Sequence, residues 1–232
     1  GNCRGLILMA GTPRKLEDVL IEQNNEVLTE MKGWMRHLVE KQIGKLNDTF
    51  AGLYEMSDEE AKTKKMGGGV TLSGGEPLLQ KDILPFITRI KELGYLVKLD
   101  TNGSYPDALR ALIDRSLLDY VAMDIKNAKS AYLMTAGTNK DILPEVEKSI
   151  SLLKEGSVPY EFRTTVVKEL HSAEDFEKIG QWLQGTERYF LQNFVDSGQL
   201  IDSSCKGVSK ATMYEMLEKA KKYIPNAQIR GI

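Results

Sequence analysis

From residue 67 onward the chain alternates short apolar runs with amphipathic stretches, and few folds accept that rhythm. Val70–Ser73, Tyr95–Asp100, Tyr120–Ile125, Tyr160–Val167 and Arg188–Val195 read as strands. Helical patterns cover Lys81–Leu93, Pro106–Arg115, Asp141–Glu155, His171–Gln184 and Lys210–Tyr223. Strand, helix and strand in succession make the βαβ unit, whose strands run parallel and whose helices pack outside the sheet. The expected fold class is therefore α/β. Ser172 is the expected N-cap of the fourth of these helices, with Asp175 three residues on giving a partial capping box.

The first 66 residues have a different texture. Arg4–Met9 reads as one more strand, and Thr12-Pro13 opens a helix with Pro13 at its first position. Beyond it Leu16, Val19, Leu20, Val27, Leu28, Met31, Met35, Leu38 and Val39 fall mostly at helical spacing, which predicts one long helix or two. Such a stripe is ordinarily core or a partner face, and His37 on it reads as a surface histidine. The expected division is a strand-and-helix segment over 1–66 and an α/β part over 67–232.

Composition removes several function classes. With 31 basic against 33 acidic residues, no basic excess points to nucleic acid or to an anionic membrane. No apolar run approaches the ~18 residues that span a bilayer, and the start lacks the long apolar core of a secretory signal. A cytoplasmic location is the default expectation. Cys3 and Cys205, the two cysteines of the chain, are too far apart in sequence to suggest a disulfide framework, and free thiols are expected.

Residues 67–80, GGGVTLSGGEPLLQ, place Gly74, Gly75 and Glu76 just past a strand. Ligands of parallel α/β sheets bind at those carboxyl ends. Glycines permit positive φ and close approach to a ligand, Pro77 fixes the following turn, and a carboxylate there suits an ammonium group. A tight βα turn explains the same residues equally well. A phosphate loop does not, because GxxxxGK[ST] is missing and Gly67–Gly69 precede the strand.

Four stretches in order, GGGVTLSGGEPLLQ, VKLDTNGS, DYVAMDIK and YEFRTTVV, resemble the radical S-adenosylmethionine enzymes that activate glycyl-radical enzymes. Among these the activating protein of anaerobic ribonucleoside-triphosphate reductase is the nearest in pattern. The resemblance covers Gly67–Ile232 and implies a partial (β/α) barrel of parallel strands with outer helices. It implies that Gly74, Gly75 and Glu76 hold the amino group of S-adenosylmethionine. Asp100, Thr101 and Asp124 match residues that hold a monovalent cation beside the cofactor's carboxylate, and Asp100 also borders the cofactor. Two carboxylates so placed would repel, which is a reason for a cation. Lys126 and Arg163 match positive groups suited to the carboxylate or ribose, and Gln192, with Asn193 and Phe194, is placed to cover the adenine. Ion pairs for Lys126 and Arg163, and strand-end caps for Asp100 and Asp124, are the plainer alternatives. The implied partner is a glycyl-radical enzyme such as anaerobic ribonucleotide reductase.

One departure matters more than the matches. The family's chemistry uses a 4Fe-4S cluster held by CxxxCxxC on the loop after the first strand, and here that loop reads AGTPRKLED. Three thiolates are needed and two distant cysteines are present. The cysteine loop has been lost or replaced, or the chain is a piece of a longer protein, or residues 1–66 are a new domain serving another reaction. The two resulting expectations are an activating enzyme, or a part or variant of one, and an S-adenosylmethionine-binding or protein-interaction module without redox chemistry.

Overall fold

A computed structural model of the protein describes residues 5–9, 69–195 and 205–231. The helical stripe over 12–46, His37 and Cys3 lie outside the described residues. The chain divides into two compact units, Gly1–Thr101 with Asp107–Tyr120, and Asn102–Pro106 with Val121–Ile232.

In the first unit β1 (Gly5–Met9), β2 (Gly69–Ser73) and β3 (Leu96–Thr101) run parallel. Helix α1 (Ile83–Glu92) connects β2 to β3, and α2 (Pro106–Asp114) follows β3. Side chains alternate across a strand. Val70 and Leu72 are accordingly buried together with Val97 and Leu99, their register partners being Val97 and Leu99 respectively. Phe86, Ile87 and Ile90 of α1, at helical spacing, are fully buried in the same unit. The other face of these strands carries Thr71, Ser73, Lys98 and Asp100.

In the second unit β4 (Tyr120–Asp124), β5 (Tyr160–Val166), β6 (Tyr189–Asn193) and β7 (Gln228–Arg230) run parallel in that order. Helices α3 (Tyr132–Ala136) and α4 (Leu143–Lys154) link β4 to β5, α5 (Ala173–Trp182) links β5 to β6, and α6 (Lys210–Lys221) precedes β7. Phe162, Val166, Tyr189 and Leu191 form the buried face with Phe176, Ile179, Met213 and Ala220 of α5 and α6. Gly180 lets these two helices approach: a Cβ there would lie 3.1 Å from the Ala220 carbonyl oxygen. All five strands and five helices read between residues 67 and 232 are present, and β1 realises the expected strand at 4–9. The Ser172 cap is tighter than a partial box. One Asp175 carboxylate oxygen accepts from both the Ser172 N–H, at 2.9 Å, and its hydroxyl, at 2.8 Å. Two elements, α3 and β7, have no counterpart in the sequence reading.

Candidate functional site

Each unit gathers polar side chains where its strands end. In the first, β2 runs into Gly74 at φ 84° and Gly75 at φ 25°, backbone that L side chains rarely adopt. These glycines turn the chain so that Glu76 caps a short 3-10 turn, Pro77–Leu79. One Glu76 oxygen, Oε1, accepts from the Leu78 N–H at 3.1 Å and from the Thr101 hydroxyl at 2.9 Å. The carboxylate is thus buried at the end of β3 as well as β2. Asp100 lies on the polar face: Ser73 donates to its Oδ2 at 3.0 Å and Lys98 to its Oδ1 at 2.6 Å. The plain reading of the motif, a tight βα turn, is realised. It leaves a negative, partly dehydrated cluster at the carboxyl ends of two parallel strands.

In the second unit the register sets the site. Residues paired across parallel strands share a face. One rung holds Asp124, Arg163, Phe190 and Gln228, and the next Thr165, Gln192 and Arg230. Arg163 donates from Nε to Asp124 Oδ1 at 2.5 Å, and Lys126 from Nζ to Oδ2 at 3.1 Å. Burial alone would raise the Asp124 carboxyl, yet the charges and hydrogen bonds of Lys126 and Arg163 hold it below its ordinary value. Beside these groups lies a cavity of about 240 Å³, lined among others by Asp124, Lys126, Thr135, Thr165, His171 and Phe194. Ligand sites run to roughly 300–1,000 Å³, so this one suits one end of a ligand rather than a whole nucleoside derivative.

The ion pairs foreseen as the plainer reading of Lys126 and Arg163 are therefore real. They change one expectation. Asp100 has Lys98 and Asp124 has two basic partners, so repulsion between bare carboxylates no longer calls for a cation, and that assignment rests on resemblance alone. Gln192 shares the face of Arg163. Asn193 is committed elsewhere, its side-chain amide exchanging hydrogen bonds of 2.9 Å each with both backbone groups of Val208. Cys205 is a free thiol. Among the described residues no group of three His, Cys, Asp or Glu side chains forms a metal set, and no helix is long and apolar enough to cross a membrane.

Sequence reading overlooked Lys98, Ser73, Glu161 and Tyr132. The alternation Glu161, Arg163, Thr165 inside an apolar strand was the available signal for a polar sheet face. Tyr132 carries the one buried side-chain polar atom without a hydrogen-bond partner among the described residues. Burial pushes its phenol above the ordinary value, opposed by the nearby Lys126 backbone and helped to a smaller degree by the Asp124 charge. Its ring meets Trp182 edge-on at 5.8 Å. Tyr132→Phe keeps that contact and removes the orphan hydroxyl, so urea unfolding should show a gain of about 1 kcal/mol. A loss of similar size would mean that the Lys126 backbone or a water completes the hydroxyl's bonding.

The pattern of the Radical SAM superfamily matches residues 53–183, more than half of the chain. The chain belongs to the radical SAM superfamily. This radical SAM chain is 36% identical over 170 residues to a Methanocaldococcus jannaschii protein named as a glycyl-radical enzyme activating enzyme, covering 70% of each chain. It is 35% identical over 124 residues to the 7-carboxy-7-deazaguanine synthase of Thermococcus kodakarensis, covering 53% of this chain and 47% of that protein. Among solved structures, Streptococcus suis SuiB bound to S-adenosylmethionine superposes with a TM-score of 0.55 at 16% identity, over 70% of this chain and 39% of that one. At that identity the likeness shows the fold, the α/β partial barrel of radical SAM proteins.

Proposed function

We propose that this chain is the S-adenosylmethionine-binding scaffold of an activator of glycyl-radical enzymes. The single observation that carries the ligand is the Glu76 cluster: a buried carboxylate, at the ends of two parallel strands, behind two glycines at positive φ. That acceptor fits the ammonium of an amino acid, with Gly74 and Gly75 letting the ligand come close. Lys126 and Arg163 suit the carboxylate or ribose, Gln192 the adenine, and Asp100, Thr101 and Asp124 a monovalent cation, each by the family's motif order. The partner class is supported by the long match to the M. jannaschii relative. An anaerobic ribonucleotide reductase is the partner proposed here, with the cytoplasm as the setting.

The family's other group is a different matter. A 4Fe-4S cluster supplies the electron that cleaves S-adenosylmethionine in this family, and its three-cysteine set is not met by Cys3 and Cys205. The residues present do not fit the cluster. That misfit favours a second reading, in which these 232 residues bind the cofactor without cleaving it. Anaerobic treatment with iron and sulfide separates the two. The expected product is a colourless protein that still binds S-adenosylmethionine by calorimetry. A brown protein that releases 5′-deoxyadenosine would return the full activity to this chain, and no binding would remove both readings.

A further inference from the structure

No role has been assigned to His171, which is 8% exposed and lines the cavity beside Lys126. Both ring nitrogens are engaged. Nε2 lies 2.8 Å from the Lys126 carbonyl oxygen. A carbonyl only accepts, so Nε2 carries the hydrogen. Nδ1 accepts from the Val167 N–H at 3.2 Å, which requires a bare nitrogen. The Val167 carbonyl, also 3.2 Å from Nδ1, already accepts from the N–H groups of Leu170 and His171 at 3.1 and 3.0 Å. These partners select the tautomer with hydrogen on Nε2.

What this bond holds is the main chain at Lys126. Past the end of β4, Ile125 is still tied to β5, donating to the Arg163 carbonyl at 2.8 Å and accepting from the Thr164 hydroxyl at 2.8 Å. Lys126 is the first residue beyond that ladder. Its carbonyl is held by His171, and the fully buried Asn127 next to it donates to the Leu170 carbonyl and to the Thr135 hydroxyl, at 2.9 Å each. Two side chains therefore stitch the loop after β4 to the loop after β5.

We infer that His171 is a positioning residue for Lys126, fixing the main chain from which the ammonium reaches Asp124 and the cavity. The inference rests on the ligand reading above, in which Lys126 meets the carboxylate or ribose of S-adenosylmethionine.

Two substitutions in the full chain separate this role from a merely structural one. The amide nitrogen of glutamine reaches about as far as imidazole Nε2 and can still donate to the Lys126 carbonyl, whereas asparagine reaches only as far as Nδ1. His171→Asn should bind S-adenosylmethionine about tenfold more weakly, and His171→Gln within about twofold of wild type, the change expected from one hydrogen bond. Thermal midpoints, recorded alongside, report folding separately. The ¹⁵N spectrum of the His171 ring should show Nε2 protonated and Nδ1 bare. Equal affinities in all three proteins, or a ring protonated on Nδ1 alone, would overturn the inference. A wild type that binds no S-adenosylmethionine would sink the ligand reading instead. Positioning would then be read from amide exchange at Asn127 and Ala128, which is faster in His171→Asn than in His171→Gln if His171 holds this loop and equal in both if it does not.

Discussion

Glu76→Gln is expected to weaken S-adenosylmethionine binding by about 30-fold, the size of one hydrogen bond to a charged group at roughly 2 kcal/mol. Glutamine retains an oxygen that can accept from the Leu78 N–H and the Thr101 hydroxyl, the two bonds made by Glu76 Oε1. Folding stability should therefore hold to within about 1 kcal/mol. Glu76→Ala loses the charge and the cap together, and should add about 1 kcal/mol of destabilisation to the same loss of affinity. Calorimetry and urea unfolding on the pair separate these effects. If glutamine bound the cofactor as well as wild type, Glu76 would be a turn residue and nothing more.

Arg230→Ala should cost about 2 kcal/mol of stability, because it takes a bidentate partner, itself 41% exposed, from a buried carboxylate. Glu161 is 3% exposed, and Arg230 donates to its two oxygens at 2.7 and 2.8 Å. The guanidinium also stacks over Phe190, with Cζ 3.3 Å from the ring centroid. β7 is three residues long and pairs with β6 over its whole length. With a urea dependence of about 3 kcal/mol per molar, the midpoint should fall by about 0.7 M. The double variant Glu161→Met with Arg230→Met should recover most of the loss, since an apolar pair of similar length leaves no charge to bury. An unchanged midpoint in Arg230→Ala would mean that Glu161 is fully served by its other neighbours.

These two residues mark what the sequence could and could not show. Glu76 is legible because it stands directly after a strand, behind two glycines and before a proline, where local rules suffice. Asp100 and Asp124 read locally as strand-end residues, and their place in the site comes from the family resemblance. The Arg230–Glu161 pair spans 69 positions and becomes visible only through the register of β5, β6 and β7. β7 itself has no apolar run to betray it: Ile229 is half-buried between two exposed residues. Helix α3 is five residues long, too short for a helical period to declare itself, and ends at Gly137 in the left-handed region at φ 65°. His171 is a further case: its neighbours in sequence announce a helix start, while its role comes from a carbonyl 45 residues away. The strand-end turn is thus readable from spacing, whereas the ligand assigned to it comes from the family resemblance. The counter-charges Lys98, Lys126 and Arg163 became partners of named carboxylates only once side chains were placed.

The most direct test is an amide ¹⁵N spectrum of the chain titrated with S-adenosylmethionine. Signals of Gly74, Gly75, Glu76 and Thr101, and those of Asp124 and Lys126, should move to saturation along one binding curve. A titration that leaves Gly74–Glu76 unmoved, whatever else shifts, would contradict the account.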